Sequence, residues 1–336
     1  MNEHKRQHNK INEHKTHKKM HKHRRKITLY RYRYLIAIIL LGGLIAYPLV
    51  NKSPKINTVV SAKTQDEETQ NTQEEAKEQD ETTETSDAAD THNDTDIIPG
   101  KNLTYEGEKY SIPASEVQKI VNGHRIDDNK YVFLTFDDGP SPNTEKVLDI
   151  LKEKGVHATF FILGENLAKG DTIKELLKRS ISEGNAIGNH TYTHDFKKLY
   201  PNNSVNTDIY MNEYNQTSEL MKSVLGDQFN TKVIRMPGGR NSRAYYHDPN
   251  LKSFDETLAS DGIVSIDWNV ENGDAEGKNY SVDQLYNNAV KESQGMNQIV
   301  ILMHDTYGKG KTVEMLPRLI DYYKNNGYEF KIIESN

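Results

Sequence analysis

The stretch YVFLTFDDGPSP, residues 131–142, decides the fold class of this chain. It begins with six mainly apolar residues, which is the composition of a buried strand, and it ends in a Gly-Pro turn. Two adjacent carboxylates, Asp137 and Asp138, lie between the strand and the turn. Most Asp-Gly pairs only form a turn. The alternative is a cation site in which one carboxylate binds the ion and the other accepts a proton.

Further short apolar runs follow this one, and amphipathic stretches with helical spacing lie between them. Two of these stretches, residues 143–155 and 171–184, end near glycine, as helices often do. Alternating strands and helices predict a parallel sheet with helices outside it. We predict an α/β fold, a deformed (β/α) barrel of about seven parallel strands, although the spacing also allows an open sheet. The predicted strands are 131–136, 157–163, 186–190, 232–236, 262–267, 298–304 and 328–333.

The N-terminal part of the chain differs in composition from the rest. Residues 1–33 hold twelve of the 43 Lys and Arg residues but only two of the 49 Asp and Glu residues, and the segment 34–50 is apolar and uncharged. A basic arm beside such a segment is typical of a transmembrane anchor with the arm in the cytoplasm. We therefore expect a single-pass protein of the cell membrane, with the domain that follows the anchor on the extracellular side, facing the cell wall. A signal peptide cleaved near Ala62 is the alternative.

Three further regions follow the anchor. Residues 51–100 have the composition of an acidic disordered linker, and residues 101–130 are predicted to be an extension that packs on the barrel of residues 131–336. The chain has no cysteine, so any metal must be bound by oxygen and nitrogen ligands. Because the basic arm adjoins an apolar segment, we expect the chain to contact the membrane through residues 34–50 and not to bind nucleic acid. No protein partner is implied.

Polar residues follow five of the predicted strands. In parallel α/β folds, the side chains that carry chemistry lie at the C-terminal ends of the strands. Each of these residues alone has an ordinary explanation, such as a surface charge or a hydrogen-bonded core histidine. Their joint occurrence at five strand ends favours a catalytic site. The residues are Asp137, Asp138, His190, His194, Arg235, Asp267 and His304.

Five short motifs resemble those of the polysaccharide deacetylases, the NodB-like enzymes of carbohydrate esterase family 4. They are TFDDGP, HTYTH, RMPGG, DWN and LMH, and they occur in the order that the family has. The resemblance covers about residues 130–333. It implies a deformed (β/α) barrel and the metal-dependent removal of N-acetyl or O-acetyl groups from a polysaccharide.

The resemblance also implies a role for each residue of the first three motifs. The metal ligands would be Asp138, His190 and His194. One carboxylate and two imidazoles favour Zn²⁺, and Co²⁺ or Mn²⁺ would also suit such a site. Asp137 would be the general base, and Arg235 would pair with it.

The remaining motif residues would complete the site. His304 would protonate the leaving amine, and Asp267 would hold and charge its imidazole. The backbone N–H of Gly238 would bind the developing negative oxygen, while Trp268 and Leu302 would form walls of the acetyl pocket.

One position departs from the family pattern. The family often has an aromatic residue at the position of Gly238, and its loss would remove a side wall of the sugar site. Tyr245 and Tyr246 lie close by in the sequence and are candidates to replace that wall.

The function predicted from these observations is that of a membrane-anchored hydrolase. It would remove N-acetyl groups from N-acetylglucosamine of peptidoglycan, since a tethered enzyme suits a substrate that is fixed and close. Two alternatives stay open. One is the same chemistry on another polymer, such as poly-N-acetylglucosamine, a chitin-like chain or acetylated xylan. The other is an inactive barrel that only binds glycan.

Overall fold

The structure, a computed structural model, describes residues 92–336. The predicted basic arm at 1–33 and the predicted membrane segment at 34–50 lie outside the described residues, as does most of the predicted linker at 51–100. Within 92–336, no helix is both long enough and apolar enough to cross a bilayer.

The described residues alternate between strands and helices, as the sequence predicts. The strands are β1 (Ser111–Pro113), β2 (Tyr131–Gly139), β3 (Thr159–Ile162), β4 (Ala186–Asn189), β5 (Val233–Ile234), β6 (Val264–Ser265), β7 (Val270–Glu271), β8 (Gln298–His304), β9 (Glu329–Phe330) and β10 (Ile332–Glu334). The helices are α1 (Tyr105–Glu108), α2 (Ala114–Val121), α3 (Pro142–Lys154), α4 (Gly164–Leu167), α5 (Asp171–Ser182), α6 (Phe196–Leu199), α7 (Thr207–Leu225), α8 (Arg240–Tyr245), α9 (Leu251–Ser260), α10 (Val282–Ser293) and α11 (Gly310–Asn325).

Seven parallel strands form a curled half-barrel. Their order across the sheet is β6-β5-β4-β3-β2-β8-β7, and each pair along this path is parallel. The prediction of a deformed barrel of about seven parallel strands is therefore confirmed. The end strands β6 and β7 do not pair with each other in the described part of the chain, so the barrel has an open side.

The seventh strand is not the one that the sequence predicts. The run 328–333 is divided into β9, which pairs with β2, and β10, which pairs with β1 outside the main sheet. The end strand of the half-barrel is instead β7, which pairs with β8. It has only two residues, so no apolar run marks it in the sequence.

The core has two layers, one on each face of the sheet. Successive side chains of a strand point to opposite faces. In β2, Val132, Leu134 and Phe136 pack against the outer helices, whereas Phe133 packs inside the curl. The long β2 is thus buried on both faces, which explains its nearly continuous apolar sequence.

Helix α2, from the predicted extension, lies at the open side of the half-barrel. Val117 and Ile120 of this helix pack inside the curl together with Val300 of β8. The side chain of Gln118 donates a hydrogen bond to the carbonyl of Ser265 in β6, at 3.1 Å. Helix α2 therefore contacts strands on both sides of the gap and belongs to the core of the domain.

Helix α3 begins directly after the turn that ends β2. Ser141 caps it, since its hydroxyl accepts a hydrogen bond from the N–H of Asn143 and its own N–H donates to Thr144 Oγ1 at 2.8 Å. The helix ends at Gly155, whose φ of 59° is left-handed. This tight connection holds the carboxylates of residues 137 and 138 at the rim of the sheet.

Candidate active site

Four parallel strands bring five of the predicted site residues to one edge of the sheet. Asp137 and Asp138 lie near the end of β2, and His304 ends β8. His190 directly follows β4, and Arg235 directly follows β5. Because all these strands are parallel, their C-terminal ends meet at one rim, where a site can form.

Asp138, His190 and His194 form a cluster that could hold a metal ion. Nε2 of His190 lies 3.5 Å from Oδ1 of Asp138, and Nε2 of His194 lies 3.7 Å from the same atom. The three ligand atoms lie within 4.8 Å of one another. Among the described residues, nothing donates a hydrogen bond to this buried Oδ1. One unpartnered carboxylate oxygen and two imidazoles are a donor set that fits a divalent ion such as Zn²⁺.

The tautomer of His190 also suits a metal ligand. Its Nδ1 lies 2.7 Å from the carbonyl oxygen of Arg235, which can only accept, so Nδ1 carries the proton. Nε2 then presents its lone pair to the cluster. Burial lowers the pKa of His190 to about 3, which keeps the imidazole neutral.

A bulge in β2 explains how two adjacent carboxylates reach the same site. In a regular strand, Asp137 and Asp138 would point to opposite faces of the sheet. The pairing register with β3 shifts between Asp137 and Gly139, and Asp138 has a left-handed φ of 67°. Such a conformation is uncommon for a residue other than glycine, although aspartate adopts it more readily than most, and it turns the carboxylate of Asp138 toward the rim. Asn166 stabilises it by donating a hydrogen bond to the carbonyl of Asp138 at 2.6 Å.

Arg235 holds Asp137 inside the half-barrel. Arg235 is completely buried, and its Nη1 donates to Asp137 Oδ1 and to Thr135 Oγ1, both at 2.8 Å. Nε donates to the carbonyl of Ile266 at 2.9 Å, and the guanidinium packs over the ring of Phe161. A buried charge is stable only when it is paired in this way, so Asp137 and Arg235 form one unit.

His304 is held by Asp274 and not by Asp267. Nδ1 of His304 lies 2.8 Å from Asp274 Oδ1, and the backbone N–H of His304 donates to Oδ2 at 3.0 Å. Thr312 donates to the same Oδ2 at 2.8 Å. Burial opposes the charged imidazole, but the attraction and hydrogen bond of Asp274, together with the charges of Asp138 and Asp137, outweigh it and raise the pKa of His304 to about 9.

The predicted contact between Asp267 and His304 is therefore wrong. The carboxylate of Asp267 accepts hydrogen bonds from the N–H groups of Arg240 and Asn241, at 2.8 Å and 2.6 Å. The physical reason is the short strand β7, which follows Asp267 and carries the chain across the open side to β8. The residue beside His304 is consequently Asp274, three positions beyond β7. The sequence gives no signal for Asp274, because ENGDAEG, residues 271–277, contains no apolar run.

The three predicted substrate-binding residues lie at or near the same rim. Leu302 is buried in β8, two residues before His304. Trp268 is half-buried, its ring 5.7 Å from the guanidinium of Arg235. Gly238 has a left-handed φ of 74°. These positions agree with an acetyl pocket at the rim, but the contacts of a substrate with these residues stay a prediction.

Comparison with known proteins identifies the family. The sequence profile described as polysaccharide deacetylase matches residues 124–250. A peptidoglycan-N-acetylglucosamine deacetylase of Bacillus cereus is 35% identical over 229 residues, which cover 66% of this chain and 74% of the relative. The chain belongs to the polysaccharide deacetylase family. The resemblance of the five motifs is thus confirmed, and this deacetylase is a hydrolase that acts on acetylated sugars.

Solved structures of related enzymes resemble the deacetylase in fold. A carbohydrate esterase family 4 esterase of Streptococcus mutans is 37% identical, with a TM-score of 0.66, and the match covers 72% of this chain and all of the esterase. The catalytic domain of a peptidoglycan N-acetylglucosamine deacetylase from Eubacterium rectale is 26% identical, with a TM-score of 0.55, and the match covers 62% and 90% of the two chains. The half-barrel is therefore shared with enzymes that act on acetylated sugars.

Glu213 organises the histidine loop of the deacetylase, and sequence reasoning missed it. It lies on the buried side of α7, and its Oε2 accepts the N–H groups of Tyr192 and Thr193 at 3.2 Å and 2.9 Å. Its Oε1 accepts the hydroxyl of Thr193 at 2.7 Å. These bonds fix the loop that joins His190 to His194. The available signal was a charged residue beside Tyr214 on what proves to be the buried side of α7.

Asp305, which directly follows His304, is another buried carboxyl group near the candidate metal ligands. Its Oδ2 accepts a hydrogen bond from Thr144 Oγ1 at 2.5 Å, and its backbone carbonyl accepts one from Ser141 Oγ at 2.5 Å. Burial raises the pKa of Asp305 to about 7. These contacts join the end of β8 to the start of α3, so Asp305 holds the turn that follows the two carboxylates of β2.

Proposed function

We propose that this protein is a membrane-anchored, metal-dependent deacetylase that removes N-acetyl groups from N-acetylglucosamine of peptidoglycan. The fold and family support a hydrolase of acetylated sugars. Similarity to the Bacillus cereus and Eubacterium rectale proteins named above supports peptidoglycan as the substrate. Two observations support a bound divalent ion: the chain belongs to the family, and Asp138, His190 and His194 form a cluster of possible ligands. These ligand types favour Zn²⁺.

One observation carries the proposal, namely an acid and a base that flank the donor cluster. Oδ2 of Asp137 lies 3.8 Å from Nε2 of His190. Nε2 of His304 lies 4.0 Å from Oδ2 of Asp138. Amide hydrolysis needs a base for the attacking water and an acid for the leaving nitrogen. A protein that only binds glycan would need neither group.

The bound ion would polarise the acetyl carbonyl and make a water molecule more acidic. Asp137 then accepts the proton of the attacking water. The guanidinium of Arg235 holds Asp137 in position and balances its negative charge. Because Arg235 is itself fixed by a backbone carbonyl and a hydroxyl, the base cannot rotate away from the reacting atoms.

His304 supplies the proton that the leaving nitrogen needs. With a pKa of about 9, its imidazole is protonated at neutral pH, and Nδ1 is held by Asp274. Nε2 is therefore the atom that donates. When the C–N bond breaks, the sugar leaves as an amine and the acetyl group leaves as acetate. We assign the backbone N–H of Gly238 to the developing oxyanion, and Trp268 and Leu302 to the acetyl pocket.

The location is proposed from the sequence. The apolar segment 34–50 would anchor the chain, with residues 1–33 in the cytoplasm and the domain outside the cell. A flexible linker formed by the acidic stretch 61–98, about 40 residues, would have a typical reach of roughly 35 Å, and its like charges would extend it further. That reach suits peptidoglycan, which lies next to the membrane.

Comparison of polymers tests the proposal. The full chain, purified in detergent and loaded with zinc, is incubated separately with peptidoglycan, β-1,6-linked poly-N-acetylglucosamine, chitin oligomers and acetylated xylan. We expect acetate and free amine in equal amounts from peptidoglycan, and none from the Asp137→Asn control. Acetate from another polymer alone would contradict the peptidoglycan assignment. No acetate from any polymer by the zinc-loaded protein would favour the inactive glycan-binding alternative.

A further inference from the structure

Phe196 has a position that the catalytic mechanism does not explain. It lies two residues after His194, and 36% of its surface is exposed. Among residues 92–336, Phe196 and Tyr307 are the two large hydrophobic side chains that are exposed. A single exposed apolar residue is common on protein surfaces, so exposure alone means little. The inference comes from where this ring lies and how it is held.

The ring of Phe196 is held in place by two other rings. It packs edge to face on the imidazole of His194, with ring centres 5.3 Å apart, and on Tyr200 at 5.6 Å. Tyr200 is fixed in turn, because its hydroxyl donates to the carbonyl of Pro237 at 3.1 Å. Asp195 caps the short helix that begins with Phe196. A ring fixed in this way loses little freedom when a ligand packs against it.

The ring also occupies the space beside Gly238. A Cβ atom at position 238 would lie 2.9 Å from Cζ of Phe196, and the φ of 74° already disfavours other residues there. Tyr245 and Tyr246 do not take this place: within residues 92–336, and apart from chain neighbours, the atoms within 4 Å of that Cβ position all belong to Phe196. Phe196 therefore places an aromatic ring between His194 of the candidate metal site and Gly238.

We propose that the exposed part of the Phe196 ring stacks on a pyranose ring of the acetylated glycan. The inference rests on the proposed function, because it requires a sugar chain at the cluster. A pyranose in a β-linked chain has a face of C–H groups, and such a face packs well on an aromatic ring. Phenylalanine has no hydroxyl group, so the contact contributes apolar burial and selects for sugar shape. Phe196 is thus a residue that determines specificity for glycan chains.

Binding without turnover tests this proposal. The zinc-loaded full chain with Asp137→Asn is titrated by calorimetry with the β-1,4-linked tetramer of N-acetylglucosamine. We expect Phe196→Ala in this background to weaken binding about tenfold, as the loss of one aromatic contact does. Phe196→Tyr is expected to keep the affinity within about twofold, because the aromatic ring is retained. Phe196→Leu keeps apolar volume without the flat ring and is expected to bind almost as weakly as alanine.

The control removes a different aromatic ring. Tyr286 lies in the outer helix layer, where its ring packs under Arg318, and Tyr286→Ala is expected to leave tetramer binding unchanged. Thermal unfolding of each variant shows whether the fold is retained. Equal affinity of the alanine variant at 196 and its parent would overturn the proposal, as would a parent that does not bind the tetramer. A third outcome is possible, in which tetramer binding depends on Phe196 but the wild type releases no acetate. That outcome would contradict the proposed function and would leave the role of Phe196 in binding supported.

Discussion

Two carboxylates that are adjacent in the chain have different partners in the fold. Asp137 is paired with the buried Arg235, and Asp138 faces the two histidines without a hydrogen-bond donor among the described residues. The bulge at Asp138 is what turns both groups to the same rim. The different partners imply different roles: Asp138, which faces the two histidines, binds the ion, and Asp137, which is held by Arg235, accepts the proton.

We expect substitutions of Asp137 to affect turnover alone, and substitutions of the histidines to affect metal binding. Asp137→Asn keeps the contact with Arg235 but removes the base, so turnover is expected to fall at least about 100-fold while zinc affinity stays unchanged. His190→Ala and His194→Ala are expected to lose zinc binding. Calorimetry with zinc and an acetate assay check both properties. Full activity in Asp137→Asn, or tight zinc binding without the histidines, would contradict the assignment.

The pH dependence distinguishes Asp274 from Asp267. We expect kcat/KM of the wild type to fall above about pH 9, where His304 loses the proton that it must donate. Asp274→Asn removes the negative charge that stabilises the imidazolium, so the pKa falls and the alkaline limb moves to lower pH. Asp267→Asn is the control, because Asp267 contacts backbone N–H groups and not His304. A shift in the Asp267 variant and none in the Asp274 variant would reverse this conclusion.

At the scale of elements, the turn between β2 and α3 positions the two carboxylates of the site. Gly139 ends β2, and the carboxylate of Asp305 approaches it closely from the end of β8. The capping hydroxyls of Ser141 and Thr144 bind the same residue. The strand end, the turn and the helix start are therefore packed as one unit around Asp305.

We expect Gly139→Ala to destabilise the protein. The new Cβ would lie 2.5 Å from Asp305 Oδ2, and relief of such overpacking in a buried turn costs about 1–3 kcal/mol. Gly310→Ala is the matched control, since it begins helix α11 and, apart from chain neighbours and the helix's own backbone, no heavy atom of the described residues lies within 4 Å of that Cβ. It is expected to change the free energy of unfolding by less than about 1 kcal/mol. Urea denaturation of both variants checks this, and equal stabilities would show that the turn adapts without cost.

At the scale of the whole molecule, the half-barrel depends on the residues that precede it. Seven strands leave an open side between β6 and β7, and α2 packs there on the interior residues. The strand pair β1 and β10 joins the beginning of the domain to its end. The segment before residue 131 therefore completes the core, although it carries none of the five motifs.

We expect Ile120→Ala to destabilise the whole domain. Ile120 is 2% exposed inside the curl, and loss of a buried isoleucine side chain costs roughly 2–5 kcal/mol. Lys119→Ala, on the exposed side of the same helix, is expected to stay within about 0.5 kcal/mol of the wild type. Urea unfolding followed by the fluorescence of Trp268, the only tryptophan of the chain, measures both variants. An unchanged midpoint for Ile120→Ala would mean that α2 is not part of the cooperative core.

The sequence by itself determined the class of the fold and most of the candidate site. Apolar runs of strand length and helical spacing between them are local properties, so the α/β alternation and helices such as α3 and α5 could be predicted from them. The polar groups at strand ends could be predicted because parallel strands bring their C-terminal ends to one rim. Asp138, His190 and His194 meet there, as the motifs imply.

Only the tertiary structure decided which residues support that site. The partner of His304 depends on a two-residue strand across an open side, and the run 328–333 divides because two different strands offer it hydrogen-bonding edges. The ring beside Gly238 comes from a helix about forty residues earlier in the chain. Each of these outcomes is a contact between segments that are distant in sequence, and local propensity does not encode such contacts. They form only when the sheet packs, because packing brings the edges and side chains of segments distant in sequence within contact distance.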